Sequence, residues 1–192
     1  MEKCMKKIII TAAALLLPAA AFAHTGHGTS SFSAGIAHPF MGLDHLLAML
    51  AVGLWSARQV GAARWTTPVT FVAMMAVGAI IGVSNSLAIT EFMIIASVVA
   101  FGAMIAFKVS SSAVIAGAVA GTFALFHGLA HGAEMPMMST LFTYGAGFIL
   151  ATALLHAIGF GLAMLGHNKA ADVSRRIAGA GIAVAGLAMG VA

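Results

Sequence analysis

Two clusters of ionisable residues stand out in a chain that otherwise avoids charge. The run from Phe126 to Glu134 (FHGLAHGAE) places His127, His131 and Glu134 at i, i+4 and i+7. On a helix advancing about 100° per residue these form a single stripe. The run from His38 to His45 (HPFMGLDH) sets two more imidazoles seven apart, with Asp44 beside the second. On a continuous helix His38 and His45 share a face and Asp44 lies about 100° round from His45. Neutral imidazole and carboxylate together suit a divalent transition metal, Ni²⁺, Co²⁺, Zn²⁺ or Cu²⁺, and the donor types alone do not choose among them. Asp44 could be a ligand itself or could hold a neighbouring imidazole in the right tautomer.

The composition says what must position these groups. Of the 192 residues 61% are hydrophobic and only 7% charged, with 22 glycines, and the mean hydropathy is +1.06. That describes an all-α, polytopic membrane bundle rather than a domain with a water-facing surface. In such a chain ionisable groups on one helical face are costly, and they point to a ligand or a pathway. The competing reading for any single histidine is a buried ring bonded to a neighbouring helix, but six such groups in two short motifs argue against it. The pI of about 9.7 does not imply nucleic acid, because the basic residues fall between apolar segments and form no contiguous patch.

Lys3, Lys6 and Lys7 precede an apolar core from Ile8 to about Ala20 and then Ala21-Phe22-Ala23. This pattern predicts a cleavable signal peptide over residues 1–23. A short outer leader over 24–33 follows, in which His24 and His27 are weaker candidate ligands. Cys4, the only cysteine, lies in the removed segment, so the mature chain has neither disulfides nor thiolate ligands. Residues 34–192 are expected to form one transmembrane domain of six helices, near 34–57, 66–84, 89–107, 112–133, 140–165 and 174–192. The loops after the first, third and fifth hold Arg58 and Arg64, then Lys108, then Lys169, Arg175 and Arg176, while the loops near Asn85 and Met137 hold no Lys or Arg. The positive-inside rule then puts the mature N-terminus outside. Pro39 fits the first turn of a helix, which sets His38 near the outer interface and His45 about 10 Å deeper. Small-residue runs such as Gly117 to Gly121, Gly145 to Gly147 and Gly179 to Gly181 predict close helix packing. They carry no functional message by themselves.

The two motifs, read as HPxxGxDH and FHGxAHGxE, resemble those of the HupE/UreJ family of nickel permeases, and the likeness extends over the whole mature chain. Residue by residue, His38, Asp44 and His45 match the first motif, and Phe126, His127, Gly128, His131, Gly132 and Glu134 match the second. The resemblance implies a permease of the bacterial inner (cytoplasmic) membrane that takes up Ni²⁺, or Co²⁺ in some relatives, for metalloenzymes such as hydrogenase or urease. It implies a metal-ion substrate and a lipid bilayer as partners, no permanent cofactor and no enzymatic activity. Self-association into a homo-oligomer is left open.

Two further groups are candidates on this pathway. Glu91, near the outer end of the third segment, could add a carboxylate to an entry funnel, although a solvated interfacial role fits it as well. His156, deeper in the fifth, is the next stop inward or a hydrogen-bonded bundle histidine. Met135, Met137 and Met138 beside Glu134 could suggest copper(I), but methionine in such a chain more often fills space. No GxxxxGK[ST] loop is present, so ATP hydrolysis is not built in. The rival class is an intramembrane metal-dependent hydrolase, for which ligands exist although HExxH does not.

Overall fold

The structure is a computed structural model that describes residues 31–85, 87–137, 139–166 and 168–191. The expected signal peptide and most of the leader, including His24 and His27, lie outside the described residues. Among those described there are helices and no strands. The helices are α1 (Ser31–Ala37), α2 (Leu43–Arg58), α3 (Ala63–Gly82), α4 (Thr90–Ala106), α5 (Ala113–Ala133), α6 (Leu141–Met164) and α7 (Lys169–Met189), with a 3-10 turn His38–Phe40 after α1. Ser112, Thr140 and Asn168 start α5, α6 and α7 by accepting the backbone N–H three residues on, which supplies partners for otherwise orphaned donors. Large apolar side chains cover the outside, among them Val69, Phe92, Val114 and Phe142. That is the surface of a bundle whose solvent is hydrocarbon.

Three helices, α3, α5 and α6, are long and apolar enough to cross a bilayer, and a fourth crossing results if α1 and α2 count together. At 17 residues α4 is shorter, and α7 carries Lys169, Asp172, Arg175 and Arg176 in its first turns. The first segment departs from the continuous helix expected over 34–57. It is broken between Phe40 and Leu43, and its two parts meet at 81°. Pro39 sits in the 3-10 turn, and Gly42 takes an extended backbone of φ −104°, ψ 123° that interrupts the helical hydrogen bonding before α2 begins.

Glycine faces hold the helices in pairs. Between α3 and α5 a Cβ on Gly128 would lie 2.1 Å from the Met75 carbonyl oxygen, one on Gly132 2.1 Å from that of Ala79, and one on Gly78 2.2 Å from that of Leu125. Gly53 and Gly159 join α2 to α6 in the same manner, and Gly102 and Gly179 join α4 to α7. Without a hydrophobic force between helices in lipid, such backbone approach is what packs them.

The basic loops gather at one end. Asp172 receives a hydrogen bond from Arg58 at 3.2 Å, pairs with Lys108 and has Arg175 4.0 Å away, while Arg176 donates to the Ala106 carbonyl. Lys108 adopts a left-handed backbone, φ 59°, at the end of α4, which for a non-glycine residue is uncommon. The hydrogen bond from Lys108 comes first among the contacts that hold the Asp172 carboxyl below its ordinary range, followed in the same direction by Arg58. A depressed carboxylate contributes stability above its unfolded value of about 3.9, and that contribution is lost as pH falls through the folded value. Asp172→Asn is therefore expected to lower the melting temperature of the detergent-solubilised protein at neutral pH, because three cations then face one another unpaired. The difference from wild type should shrink below about pH 4 and in high salt. Equal melting temperatures at pH 7 in low salt would remove the network from the account of stability.

Candidate metal centre

At the opposite end the two histidine motifs meet. The His131 ring lies against both His38, at 4.7 Å between centroids, and His45, at 4.3 Å, while His45 also contacts His127 at 4.9 Å. His38 and His45 thus converge on one partner ring, which the break at Gly42 allows and a straight helix with His45 far deeper would not. One ligand atom from each of His45, His127 and His131 lies within 4.8 Å of the others, and so does one from each of His38, His131 and Glu134. His131 belongs to both groups. Nitrogen donors sit about 2 Å from a bound divalent ion, so rings spread this far need only turn inward slightly to grip one.

Burial differs along the site. His127 and His131 are fully enclosed, His45 nearly so, and the Glu134 side chain is 49% exposed. The centre therefore runs from an accessible carboxylate to a dry interior. Glu134 caps the end of α5 and accepts a hydrogen bond from His38 Nε2 at 3.1 Å, which holds its carboxyl below the ordinary glutamate range.

Hydrogen bonds fix the tautomers. Asp44 Oδ1 accepts from both the His45 backbone N–H, at 2.7 Å, and His45 Nδ1, at 2.9 Å, leaving Nε2 as the lone-pair nitrogen. The Ser97 hydroxyl gives its proton to the Ile94 carbonyl at 2.6 Å, so its oxygen accepts from His127 Nε2 at 2.9 Å and Nδ1 keeps the lone pair. Each free nitrogen, His45 Nε2 and His127 Nδ1, is buried without a protein partner, as are both nitrogens of His131. An unsatisfied buried polar atom costs about 1–3 kcal/mol, and three adjoining rings, each able to offer one lone pair, form a candidate ligand set. Oriented imidazoles of this kind are how metal ligands are held by their outer contacts.

Of the other expected residues, Asp44 hydrogen-bonds His45 and belongs to neither group of converging donors, which is the tautomer-holding arrangement. Glu91 is exposed in the first turn of α4 and belongs to neither group of converging donors. His156 is buried on α6, edge-on to Phe71 at 5.1 Å, with neither nitrogen bonded to protein. Phe71 also lies 5.5 Å from His127, so it stands between the two histidines. The sequence reading passed over Ser97, Tyr144 and Phe148. Tyr144, the only tyrosine, lies 5.7 Å from His38 with its hydroxyl buried and unpartnered. Phe148 lies 4.0 Å from His131. A serine in the middle of the apolar third segment and a sole tyrosine were the available signals.

Fold and site together define a class: a helical membrane protein whose interior carries converging, partner-oriented imidazoles beside carboxylates. The sequence profile described as HupE / UreJ protein matches residues 12–189. The chain is also 45% identical over 184 residues to Protein HupE of Rhizobium leguminosarum bv. viciae, covering 95% of this chain and 96% of that protein. The chain belongs to the HupE/UreJ family. No solved structure matches it.

Proposed function

We propose that this protein is a permease that carries a divalent transition-metal ion, Ni²⁺ first and Co²⁺ next, inward across the bacterial cytoplasmic membrane to supply metalloenzymes such as hydrogenase or urease. The observation that carries this reading is the set of buried, protein-unpartnered nitrogens on His45, His127 and His131, two of them aimed by Asp44 and Ser97. Family membership supports it. Six crossings fit the alternation of ends: Arg58, Lys108 and Asp172 meet at one, His38 and Glu134 at the other. The basic end is then cytoplasmic, and cleavage after Ala23 leaves the mature N-terminus outside, where His24 and His27 are candidates for first contact and Glu91 for the rim.

In this reading His38, His131 and Glu134 take the ion from solvent, and His131 hands it to His45 and His127. Glu134 offsets the ion's charge at the mouth and Asp44 offsets it through His45. Binding stays weak because the six residues are not engaged together, which transport requires. The hydrolase reading is less favoured: HExxH is absent, and the two carboxylates of the site, which could serve as a general base, are engaged, Asp44 by His45 and Glu134 by His38.

The direct test is uptake of labelled nickel by cells with and without the protein, competed by cobalt, zinc and copper. Uptake that depends on the protein and is suppressed best by cobalt supports the reading; no dependence on the protein would sink it. Ser97→Ala should lower uptake about tenfold, in the range typical for losing a contact that orients a metal-bound imidazole. The rate is divided by the amount of protein in the membrane, because the change leaves the buried His127 Nε2–H without its partner. An unchanged rate would mean that Ser97 does not orient His127 during transport.

A further inference from the structure

Below the histidine centre, α6 presents Tyr144, Phe148, Thr152 and His156 at intervals of four, every one of them buried. This is one stripe along the helix, and with about 1.5 Å of rise per residue it runs about 12 Å inward from Phe148 to His156. Its upper half packs on the rings of the centre. Its lower half has no role in the site so far described.

Thr152 is the unusual member. A threonine inside a helix commonly turns its hydroxyl back to the carbonyl four residues earlier, as Thr67 does to Ala63 and Thr122 to Ala118. Thr152 instead directs its hydroxyl at two sulfurs, Met49 Sδ at 3.4 Å and Met75 Sδ at 3.7 Å. Met49 lies one turn past His45 on α2, and Met75 one turn past Phe71 on α3; both are completely buried. One turn further along α6 from Thr152 comes His156, 4% exposed, with both ring nitrogens lacking a protein partner. A dry hydroxyl held by two weak thioether acceptors, beside an imidazole with no hydrogen-bond partner in the protein, is poorly satisfied. Two sulfurs meet an oxygen here, and one turn along the same buried face follows an unpartnered nitrogen, all of them neutral.

We propose that Met49, Met75, Thr152 and His156 form a second station for the ion, which receives it from His127 and passes it toward the basic end. The inference rests on the transport reading above and adds a basis for selectivity. Sulfur and imidazole are poor replacements for the oxygen shell that Mg²⁺ and Ca²⁺ require; imidazole suits nickel, and thioether favours softer ions over hard ones. Hard cations attracted by Glu134 would therefore stop at this layer. Because the donors are uncharged, the ion is held loosely and leaves readily.

The test uses full-length protein and labelled Ni²⁺. Met49→Leu with Met75→Leu conserves volume, and His156→Phe keeps a ring against Phe71. Each is expected to lower the initial uptake rate about tenfold, while Ni²⁺ binding to the purified protein at the outer histidines, measured by equilibrium dialysis, stays within about twofold of the unaltered chain. Normal uptake in both variants would overturn the second station. So would loss of outer binding together with uptake in both, since the layer would then be only a packing element. If the unaltered chain takes up no nickel, the transport reading fails and the station with it; normal uptake by the unaltered chain and by both variants removes the station alone.

Discussion

Replacing His127 with Ala is expected to lower nickel uptake by at least about a hundredfold, more than the loss of an orienting contact costs. His127 is fully buried, keeps Nδ1 without a protein partner while Ser97 holds Nε2, and lies between His45 on one side and Phe71 on the other; in the proposed path Nδ1 is its ligand atom. Removing it leaves His45 and His131 facing an ion with two nitrogens and no continuation toward His156. The truncation also opens a ring-sized cavity, which costs about 2–5 kcal/mol in a packed interior, so a loss of protein could imitate a loss of transport. His127→Phe separates the two. A phenyl ring fills the space but carries no lone pair, and it should be as inactive as Ala while remaining in the membrane at near wild-type amount. The measurement is the initial rate of labelled nickel uptake divided by the quantity of protein in the membrane. Retention of more than about a tenth of the wild-type rate in both variants would exceed what loss of a ligand permits and would remove His127 from the path.

The spacing of His127, His131 and Glu134 could be read directly because they lie on one unbroken helix, α5, where sequence separation converts into angle. The first motif could not be read in that way. Its seven-residue spacing gave His38 and His45 a common face only on the assumption of a continuous helix, and α2 instead starts afresh after Gly42 at 81° to the preceding segment. Both rings still reach His131, but they do so through a bend whose angle depends on packing against α6, where Gly35 and Gly147 bring the α1 backbone close. No local pattern encodes that. Ser97 was hidden for a related reason: a serine in the middle of an apolar helix acquires meaning only when the helix opposite is known. The ranges of the four middle helices were legible, since long apolar runs separated by short polar loops admit few other arrangements. The glycine runs were only half legible, because the sequence predicts close packing but shows neither which glycines make it nor which of them lie beside the site.

Gly128 is where that distinction has the largest consequence. It directly follows His127, and a Cβ there would stand 2.1 Å from the Met75 carbonyl oxygen and 2.7 Å from the Ala79 nitrogen, both backbone atoms that cannot swing aside. Gly128→Ala must therefore push α3 and α5 apart, and overpacking of this kind costs about 1–3 kcal/mol or more. The displacement also moves His127 and His131 relative to His45 by more than the roughly 0.5 Å that a binding constellation tolerates. A lower melting temperature in detergent and loss of nickel uptake are expected together. Gly145 provides the contrast. It belongs to an equally suggestive run, Gly145 to Gly147, yet a Cβ there meets nothing within 4 Å. Gly145→Ala removes a glycine from a helix interior and should stabilise α6 by about 0.5–1 kcal/mol, with uptake unchanged. If both substitutions behave alike, whether harmless or damaging, the close α3–α5 contact is not what holds the two histidines in place. If they diverge as described, the glycines of the FHGxAHG motif act on the ion by setting how near α3 may come, and the histidines hold their positions because of them.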